Sequence, residues 1–520
     1  MLMTSLTGRR FKEKPVEATL ESHAFLLRGG YVRQVANGIY SLLHPAVRVV
    51  RKIEQIIREE MNLVDGQEVI MPVALPKELW EESGRYESVG AELIRFVDRA
   101  GHDMLLAMTH EEAVVHLVRN EASSYRQYPF MLYQFQTKFR DEPRSRGGLI
   151  RVREFTMKDA YSFHTSQEDL SRYYSKCSDA YRRIFARLGI PEVVVVESDS
   201  GMMGGQRADE FMLLCDAGED AIASCEACGY LANVEVATGT IPCDSADPLP
   251  LEEVSTPGKK TIEEVAAFLA IPAKQTVKAV FFAPDSEGRL TLALIRGDRE
   301  INEAKLAKLL KAQPAFADDN AILAAGAVPG FASPINLKNT RIIADLTVRD
   351  SANLVTGANK EDFHIKNFNL LRDAPDAEIA DISKTCAGDG CPECGASLLL
   401  KRGVEVGNIF QLGTKYSGSM KMRYLDEAGS EKTPIMGCYG IGVGRLVSSI
   451  MEVRRDKFGP IWPLTVAPWQ VHICTINFDK PDIRSAAEQL YKDLTAADVE
   501  VIMDDRNERP GVQFAEADLL

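Results

Sequence analysis

The sequence predicts a multidomain α/β protein, and three observations lead to that prediction. The chain has 520 residues, enough for about three or four domains of ~150 residues each. Residues 223–400 alternate strand-like runs such as VKAVFFAP with helical runs such as TIEEVAAFLAI, the pattern of a separate small α/β domain. After the proline-punctuated segment 459–463, a β-α-β pattern follows. The predicted divisions are 1–222, 223–400, 401–463 and 464–520.

Composition and charge exclude several classes of protein. Lys and Arg total 61 against 75 Asp and Glu, a formal charge of −14, so any RNA-binding surface is expected on one face only. No run approaches the ~18 uninterrupted apolar residues of a membrane helix, and the amino-terminal segment is polar and basic. We therefore expect a cytosolic protein with neither a membrane nor DNA as its partner.

A charged hairpin is predicted between Tyr133 and His164. An alternating run leads in, Pro143–Gly148 turns, and Ile150–Phe155 leads out. Charged side chains lie beside aromatic ones throughout it: Arg140, Glu142, Arg151, Arg153, Glu154 and Asp159. Guanidinium groups beside aromatic rings suit an anionic ligand with a flat ring, and a nucleotide is the simplest such ligand. The alternative is a surface hairpin held by salt bridges.

A glycine-rich strand followed by a helix is predicted at Gly437–Leu446 and the apolar run VSSIMEV after it. Glycines at alternate positions remove side chains from one strand face, so that a flat ligand can lie against the backbone. Arg445 is placed where the helix begins. The spacing lacks the lysine of a P-loop and the layout of a dinucleotide fingerprint, and close packing is the alternative explanation.

Together these two segments resemble motifs 2 and 3 of the class II aminoacyl-tRNA synthetases. The likeness is to bacterial prolyl-tRNA synthetases and extends over essentially the whole chain. Its further segments are Thr109–Glu112, Arg153–His164, Glu405–Ser417 and Asp504–Val512. The resemblance implies an antiparallel class II sheet core with helices, an inserted α/β editing domain and a partial carboxyl-terminal α/β anticodon-binding domain. Family members continue with further strands and a closing helix, so it also implies that this last domain is incomplete.

The resemblance implies ATP-dependent activation of proline to prolyl-adenylate and transfer to tRNA(Pro). Arg140 would bridge the proline carboxylate and the α-phosphate. Glu142 would accept a hydrogen bond from the adenine amino group, and Phe155 would stack on adenine. Arg445 would cover the other adenine face and reach the γ-phosphate, which makes Arg140 and Arg445 the catalytic pair.

Further ligands of ATP are implied in the same way. Arg151 would assist at the γ-phosphate, and Mg2+ would bridge phosphate oxygens. Glu405 and Gln411 are the candidate neighbours of the metal ion and the nucleotide.

The implied proline pocket consists of seven side chains: Thr109, Glu111, Arg140, Met157, Asp159, His164 and Cys438. Glu111 would hold the secondary ammonium, which has two N–H donors. As a bare pattern, Thr109 and Glu111 fit equally well a helix N-cap with its first-turn acid. Met157 and Cys438 fit ordinary packing as well as a ligand contact.

Residues 223–400 resemble the insertion domain of bacterial prolyl-tRNA synthetases, which hydrolyses alanine wrongly attached to tRNA(Pro). A proline site excludes the smaller alanine poorly by packing, and a second site that admits only the smaller product restores accuracy. The resemblance places Lys278, Asp345 and His364 in the editing pocket, with Gly330 on its loop.

Two CxxC pairs, each followed by glycine, flank this insertion. They are Cys225 with Cys228, and Cys391 with Cys394. This is zinc-knuckle spacing, and two such turns give a closed site of four thiolates. A structural Zn2+ is predicted; four free thiols, or Cys386 as a competing ligand, are the alternatives.

A homodimer is implied by a third motif. Pro45–Met61 has the apolar spacing of an amphipathic helix, and the predicted strand EVIMPVAL follows it. Pro72 matches the proline of motif 1, which forms the dimer interface in class II synthetases. As pattern alone, these are an ordinary core helix and strand.

Two other functions compete with an active synthetase. A binding or regulatory paralogue that keeps the fold without turnover predicts loss of Arg140, Glu142, Phe155 and Arg445, all of which are present. A deacylase on a weakened core would depend on Lys278 and not on Arg140.

Overall fold

The computed structural model describes residues 1–199, 203, 205, 207–285 and 287–520. The chain forms two compact units. The first comprises Met1–Val196, Ser200–Asp220 and Arg402–Leu520, and the second comprises Glu197–Asp199 and Ala221–Lys401. None of the helices in the described ranges has the length and apolar character needed to span a bilayer.

Helices and strands alternate along the chain. The α-helices are α1 (Glu21–Arg28), α2 (His44–Asn62), α3 (Lys77–Glu82), α4 (Glu111–Val118), α5 (Gln167–Arg187), α6 (Ile262–Leu269), α7 (Glu303–Leu310), α8 (Asp319–Ala324), α9 (Leu346–Asp350), α10 (Leu370–Asp373), α11 (Lys415–Ser419), α12 (Val443–Val453), α13 (Pro481–Ala496) and α14 (Pro510–Ala517). The strands are β1 (Val32–Ala36), β2 (Ile39–Leu42), β3 (Gly66–Glu68), β4 (Ala74–Pro76), β5 (Arg95–Val97), β6 (Asp103–Leu106), β7 (Phe130–Phe139), β8 (Glu154–His164), β9 (Val194–Ser198), β10 (Arg207–Leu214), β11 (Asp220–Ser224), β12 (Leu231–Asn233), β13 (Glu252–Ser255), β14 (Val277–Phe282), β15 (Leu290–Arg296), β16 (Thr340–Asp345), β17 (Leu354–Gly357), β18 (Phe363–Phe368), β19 (Glu378–Ala380), β20 (Leu399–Gly413), β21 (Tyr424–Leu425), β22 (Glu431–Lys432), β23 (Ile435–Gly442), β24 (Val471–Cys474) and β25 (Val501–Asp504).

The first unit is built on a largely antiparallel sheet, as the resemblance implied. Its strands lie in the order β10-β20-β23-β8-β7-β3, and only the β3–β7 pair is parallel. Helices α2, α5 and α12 cover one face, where Ile53, Tyr181 and Val447 share a buried cluster with Tyr439 and Ile441 of β23. Because side chains alternate along a strand, the other face remains for a ligand.

Helix α2 matches the predicted amphipathic segment closely, but the strand predicted after it is wrong. The segment EVIMPVAL contributes to two short strands, β3 and β4, and Ile70 between them is 82% exposed. Pro72 has no N–H to donate to a sheet. The N–H of Met71 donates to the side-chain oxygen of Gln134 at 2.9 Å rather than to a neighbouring strand.

The second unit contains the predicted alternation of strands and helices. One sheet has the order β14-β15-β16-β19, with β14 antiparallel to β15 and the other pairs parallel; a second, antiparallel sheet has the order β13-β18-β17. The run predicted as a strand over 340–349 ends at Asp345. Its carboxylate accepts from the backbone N–H of Thr347 at 2.9 Å and so caps α9.

The β-α-β pattern near the carboxyl end is confirmed within the first unit. Strands β24 and β25 pair in parallel on either side of α13 in the chain. Helix α14, which the sequence did not predict, packs against β24 through the buried Gln513, whose amide donates to the carbonyl of Thr475 at 2.9 Å.

Candidate active site

The charged hairpin is present, but its second arm starts later than predicted. Strands β7 and β8 pair from Phe130 opposite Phe163 to Phe139 opposite Glu154. The prediction that Ile150 begins the outgoing strand is wrong. The N–H of Arg153 donates to the carbonyl of Gly38 at 2.8 Å, so this part of the chain bonds to a distant hairpin. The predicted arginines therefore lie on a loop of residues 140–153.

Strand register creates a bare patch beside this hairpin. Gly440 lies opposite Asp159, and Gly442 lies opposite Met157, on the β23–β8 pair. A side chain at position 440 would place its Cβ 2.7 Å from the amide oxygen of Asn408. Glycine is thus required for close approach of the neighbouring strand, and the sheet face is left open for a ligand.

A cavity of about 300 Å³ lies over this face of the first unit. The charged, aromatic and glycine residues that line it include Arg140, Glu142, Arg151, Phe155, Glu219, Glu405, Gly440, Gly442 and Arg445. Met157 also lines it. The structure therefore brings together every predicted ATP-binding residue except Gln411, which is buried and accepts a hydrogen bond from the side chain of Gln167 at 2.8 Å.

Three arginines are held at the cavity by defined contacts. Nε of Arg140 donates to the carbonyl of Met108 at 3.2 Å, and its guanidinium carbon lies 5.4 Å from the centre of the Phe155 ring. Burial, and the proximity of Arg445, lower the pKa of Arg140. Nε of Arg445 donates to the carbonyl of Ile150 at 2.8 Å. The cationic groups are thus fixed largely by backbone carbonyls, which leaves charge available to an anion.

Arg151 is held by carboxylates instead. Its Nε lies 2.9 Å from a Glu142 oxygen, and its Nη1 donates to Glu219 at 2.8 Å. Glu142 has its other oxygen on the backbone N–H of Arg144 at 3.0 Å.

Thr109, Glu111 and Cys438 form a second, buried group. The hydroxyl of Thr109 donates to Glu111, and the thiol of Cys438 donates to the other Glu111 oxygen at 3.4 Å. Burial raises the pKa of the Cys438 thiol, so it is a neutral donor. The N-cap of α4 is His110, and its side chain makes no capping hydrogen bond. The interpretation of Thr109 as a helix cap is therefore wrong.

Asp159 is 2% exposed and fully partnered. Its carboxylate accepts from Lys138 at 2.7 Å, Gln134 at 2.9 Å and Tyr161 at 2.9 Å. Burial lowers the pKa of Lys138 against the opposing effect of Asp159. Asp159 thus shapes the floor of the site through a rigid network.

The structure does not place His164 with the other predicted pocket residues. Along the regular strand β8, His164 and Asp159 are separated by an odd number of residues and point to opposite faces. Its ring nitrogens lie 2.6 Å from Asp169 and 2.9 Å from Ser162, and burial lowers its pKa. His164 therefore packs beneath the sheet, against α5.

Known families match the whole of this arrangement. The tRNA synthetase class II core domain (G, H, P, S and T) matches residues 94–454, and the anticodon binding domain matches residues 470–520. The proline–tRNA ligase of Geotalea daltonii is 48% identical over 98% of this chain and 90% of its own length. That of Desulforamulus reducens is 47% identical over 100% of this chain and 92% of its own length.

The chain belongs to the prolyl-tRNA synthetases, within class II. A prolyl-tRNA synthetase of Cryptosporidium parvum, solved with L-proline and AMP, has the same fold. Its TM-score is 0.54 at 12% identity, over 98% of this chain and 67% of that one.

This synthetase has a second cavity, of about 330 Å³, within its second unit. Lys278, Gly330 and His364 line it, as predicted. Nζ of Lys278 donates to Glu300 at 2.7 Å, and a ring nitrogen of His364 lies 2.6 Å from the hydroxyl of Thr256. Burial lowers the pKa of His364.

Asp345 is not among the residues that line this second cavity. It is fully buried, and both of its oxygens are engaged: one by Thr347, the other by the N–H of Ile382 at 3.0 Å. The prediction that Asp345 lies in the pocket is therefore wrong, because its carboxylate is used to cap α9.

The four predicted cysteines of the synthetase converge in its second unit. Their sulfur atoms all lie within 4.8 Å of one another. The Sγ atoms of Cys225 and Cys394 are 3.5 Å apart, as are those of Cys228 and Cys391. Each turn closes alike, with the N–H of Gly229 on the carbonyl of Cys225 and that of Gly395 on Cys391, both at 2.9 Å.

A fifth cysteine, Cys386, lies outside this group. Its thiol donates to the carbonyl of Lys384 at 3.5 Å. The alternative that Cys386 competes as a ligand is therefore not supported by the geometry.

Sequence reasoning missed several residues of the site. Lys138 and Gln134 share a strand face with each other, and their polar alternation along β7 was the available signal. Glu219 lies in no recognised motif, and only folding brings it to Arg151. His110 is fully buried, with Nε2 2.9 Å from the carbonyl of Pro72.

Proposed function

We propose that the cavity of the first unit binds ATP, that the adjoining Glu111 group binds proline, and that the chain activates proline and transfers it to tRNA(Pro). One observation carries the proposal: Arg140 and Arg445, from distant parts of the sequence, line one cavity with Phe155 over a glycine-bared strand. The near-identity in length and the 48% identity to a proline–tRNA ligase support the same reaction.

The chemistry requires positioning and charge neutralisation more than proton transfer. A carboxylate oxygen of proline attacks the α-phosphorus of ATP, and pyrophosphate leaves. Arg140 is tied to the carbonyl of Met108, next to Thr109, while its guanidinium faces the nucleotide cavity. It is therefore suited to bridge the proline carboxylate and the α-phosphate.

The other contacts of ATP follow from the lining of the cavity. Phe155 supplies a ring for adenine, and Glu142 an acceptor for its amino group. Arg445 and Arg151 supply charge for the phosphates. Carboxylates that hold these arginines, such as Glu219, would exchange their partner for phosphate oxygens on binding.

Mg2+, when bound, would neutralise phosphate charge. Glu405 fits as its neighbour, because its carboxylate lines the cavity beside Arg445, and carboxylate oxygen is a preferred magnesium ligand. Gln411 fits less well, since its side chain is engaged by Gln167.

The proposal is tested by exchange of labelled pyrophosphate into ATP in the presence of proline, alanine, cysteine or threonine. Proline is expected to support the fastest exchange, with weaker exchange for alanine. Exchange that is equal for all four amino acids, or absent with folded protein, would contradict the proline site.

We further propose that the second cavity hydrolyses Ala-tRNA(Pro). Its residues Lys278, Gly330 and His364 support this role, while Asp345 acts only on the local fold. A single-turnover deacylation assay with Ala-tRNA(Pro) and Pro-tRNA(Pro) tests it. Faster release of alanine than of proline is expected, and equal rates would contradict editing.

The four-cysteine group fits a structural Zn2+. With Zn–S bonds of ~2.3 Å, the sulfurs of a tetrahedral site are about 3.8 Å apart, and the observed sulfur separations of 3.5 Å are close to that spacing. Thiolate sulfur is the donor that zinc prefers in closed sites. The ion would join the two ends of the second unit's main segment.

A homodimer through the motif 1 region is also proposed. Ile70 is 82% and Leu63 66% exposed, and both lie near Pro72 in sequence. Exposed apolar side chains in a segment of this kind favour a partner surface. Light scattering of the Ile70→Asp variant tests this: a monomer is expected, and an unchanged dimer would place the interface elsewhere.

A further inference from the structure

We propose that Arg85 is a positioning residue for amino-acid binding: it neutralises Glu112, so that the adjacent Glu111 remains an ionised carboxylate for the substrate's ammonium group. This inference rests on the proposed proline site. It concerns a side chain that lies outside the ATP cavity and is 3% exposed.

One nitrogen of Arg85 serves two neighbouring acids. Its Nη1 lies 3.1 Å and 3.3 Å from the two oxygens of Glu112, and 3.6 Å from Oε2 of Glu111. Both carboxylates are fully buried. Ser83 also donates to Glu112, at 2.8 Å. Glu112 is therefore committed to protein partners, and Glu111 is the acid left for a ligand.

Aromatic rings hold the guanidinium group in place. Its central carbon lies 4.6 Å from the centre of the Trp80 ring and 5.4 Å from that of Tyr416. Both rings are fully buried. A planar guanidinium against aromatic faces is attracted electrostatically and has little freedom to reorient. Arg85 is thus a fixed charge, not a mobile surface arginine.

The two oxygens of Glu111 differ in their partners. Oε2 accepts from the hydroxyl of Thr109 and faces Arg85, whereas Oε1 has the thiol of Cys438 at 3.4 Å as its partner. A thiol is a weak donor. Oε1 is therefore the atom best able to accept an N–H from a bound amino acid.

The local charge fits a monocation. Two carboxylates and one guanidinium leave a formal charge of −1, which a secondary ammonium would cancel. Without Arg85, two buried carboxylates at adjacent positions would compete for a proton, because like charges raise each other's pKa. Burial already raises the pKa of Glu112, which shows the direction of this effect. Loss of Arg85 would thus weaken Glu111 as an anionic ligand.

The test is a charge cycle measured by proline-dependent pyrophosphate exchange. The chains compared are wild type, Arg85→Met, Glu112→Gln and the double variant. Each single change is expected to raise KM for proline by roughly 10- to 100-fold, the range typical of losing a partner that supports a functional ligand. KM for ATP should change less than about threefold, and the double variant should recover most of the loss, because Glu111 is again the one charged group.

The outcomes separate this inference from the proposed function. If wild type shows no proline-dependent exchange, the proposed function fails. If wild type is active and Arg85→Met leaves KM for proline unchanged, or if the double variant recovers nothing, Arg85 acts through packing alone and the inference is overturned. Should Arg85→Met fail to fold, the isosteric Glu112→Gln variant decides alone: an unchanged KM for proline contradicts the inference.

Discussion

Arg445 and Glu405 are joined through a single nitrogen. Nη1 of Arg445 donates to the backbone carbonyl of Glu405 at 2.8 Å and lies 3.3 Å from its carboxylate. The contact to the backbone does not depend on the Glu405 side chain. The arginine at the start of α12 therefore stays oriented toward the cavity when the carboxylate turns to another partner.

Replacing Glu405 by Gln separates these two functions. We expect the rate of pyrophosphate exchange to fall roughly 10-fold or more, with a higher Mg2+ requirement, because a charged metal ligand is lost. KM for proline and the melting temperature should stay close to wild type. The matched control is Glu431→Gln, on an exposed strand. An unchanged Mg2+ dependence would remove Glu405 from the metal site.

Local patterns in the sequence were enough for much of this fold. Helix α2 and the strand-to-helix segment around Gly440 were predicted because periodicity and glycine spacing act over a few residues. The start of β8 was not predicted, since Arg153 bonds to Gly38 far away in the chain. His164 was misplaced although strand alternation alone puts it opposite Asp159.

In the second unit, Asp345 was misread for a related reason. An Asp directly before a helix, followed two residues later by Thr, is a capping pattern, and it competes with any catalytic role. The position of Glu219 could not be predicted, because no motif contains it and tertiary folding alone brings it to Arg151.

Zinc content and stability should change together at the cysteine group. We expect one Zn2+ per chain by elemental analysis. Cys391→Ser should lose the ion and lower the melting temperature of the second unit by about 5–10 °C, because metal-binding free energy is folding free energy. Cys386→Ser is the control and should retain both. A metal-free wild type with an unchanged melting temperature after chelation would contradict the site.

Editing and activation should be separable by single substitutions. Lys278→Ala is expected to slow hydrolysis of Ala-tRNA(Pro) about 10-fold or more, since a cation that lines the second cavity is removed. Pyrophosphate exchange should not change, because the two cavities have no lining residue in common. Lys274→Ala, which removes only a surface ion pair with Asp244 at 2.7 Å, is the control. Equal deacylation by both variants would exclude Lys278 from the reaction.

Acid should destabilise the fold partly through His110. Burial, and then the nearby Lys138, lower the pKa of His110 to about 4, whereas an unfolded histidine titrates near ~6.5. The unfolded state therefore takes up the proton first, and the free energy of unfolding should fall as pH drops from about 6.5 to about 4. His110→Gln keeps a donor for the carbonyl of Pro72 and removes this titration.

Urea unfolding across that pH range measures the effect of His110→Gln. The slope of stability against pH should be shallower than in wild type. The exposed His102 is the control, because its hydrogen bond to Asp98 raises its pKa instead; His102→Gln should leave the acid side of the profile in place. A His110→Gln profile parallel to wild type would show that His110 does not contribute.

The most direct test of the account is proline-dependent pyrophosphate exchange by wild type, Arg445→Ala and Arg455→Ala. Arg445 lines the cavity, whereas Arg455, two turns further on, is exposed and pairs with Glu452 at 3.2 Å. We predict strong exchange in wild type and Arg455→Ala, and a loss of roughly 100-fold or more in Arg445→Ala, with all three proteins folded. Exchange by Arg445→Ala at the wild-type rate would contradict the assignment of this cavity as the site of proline activation.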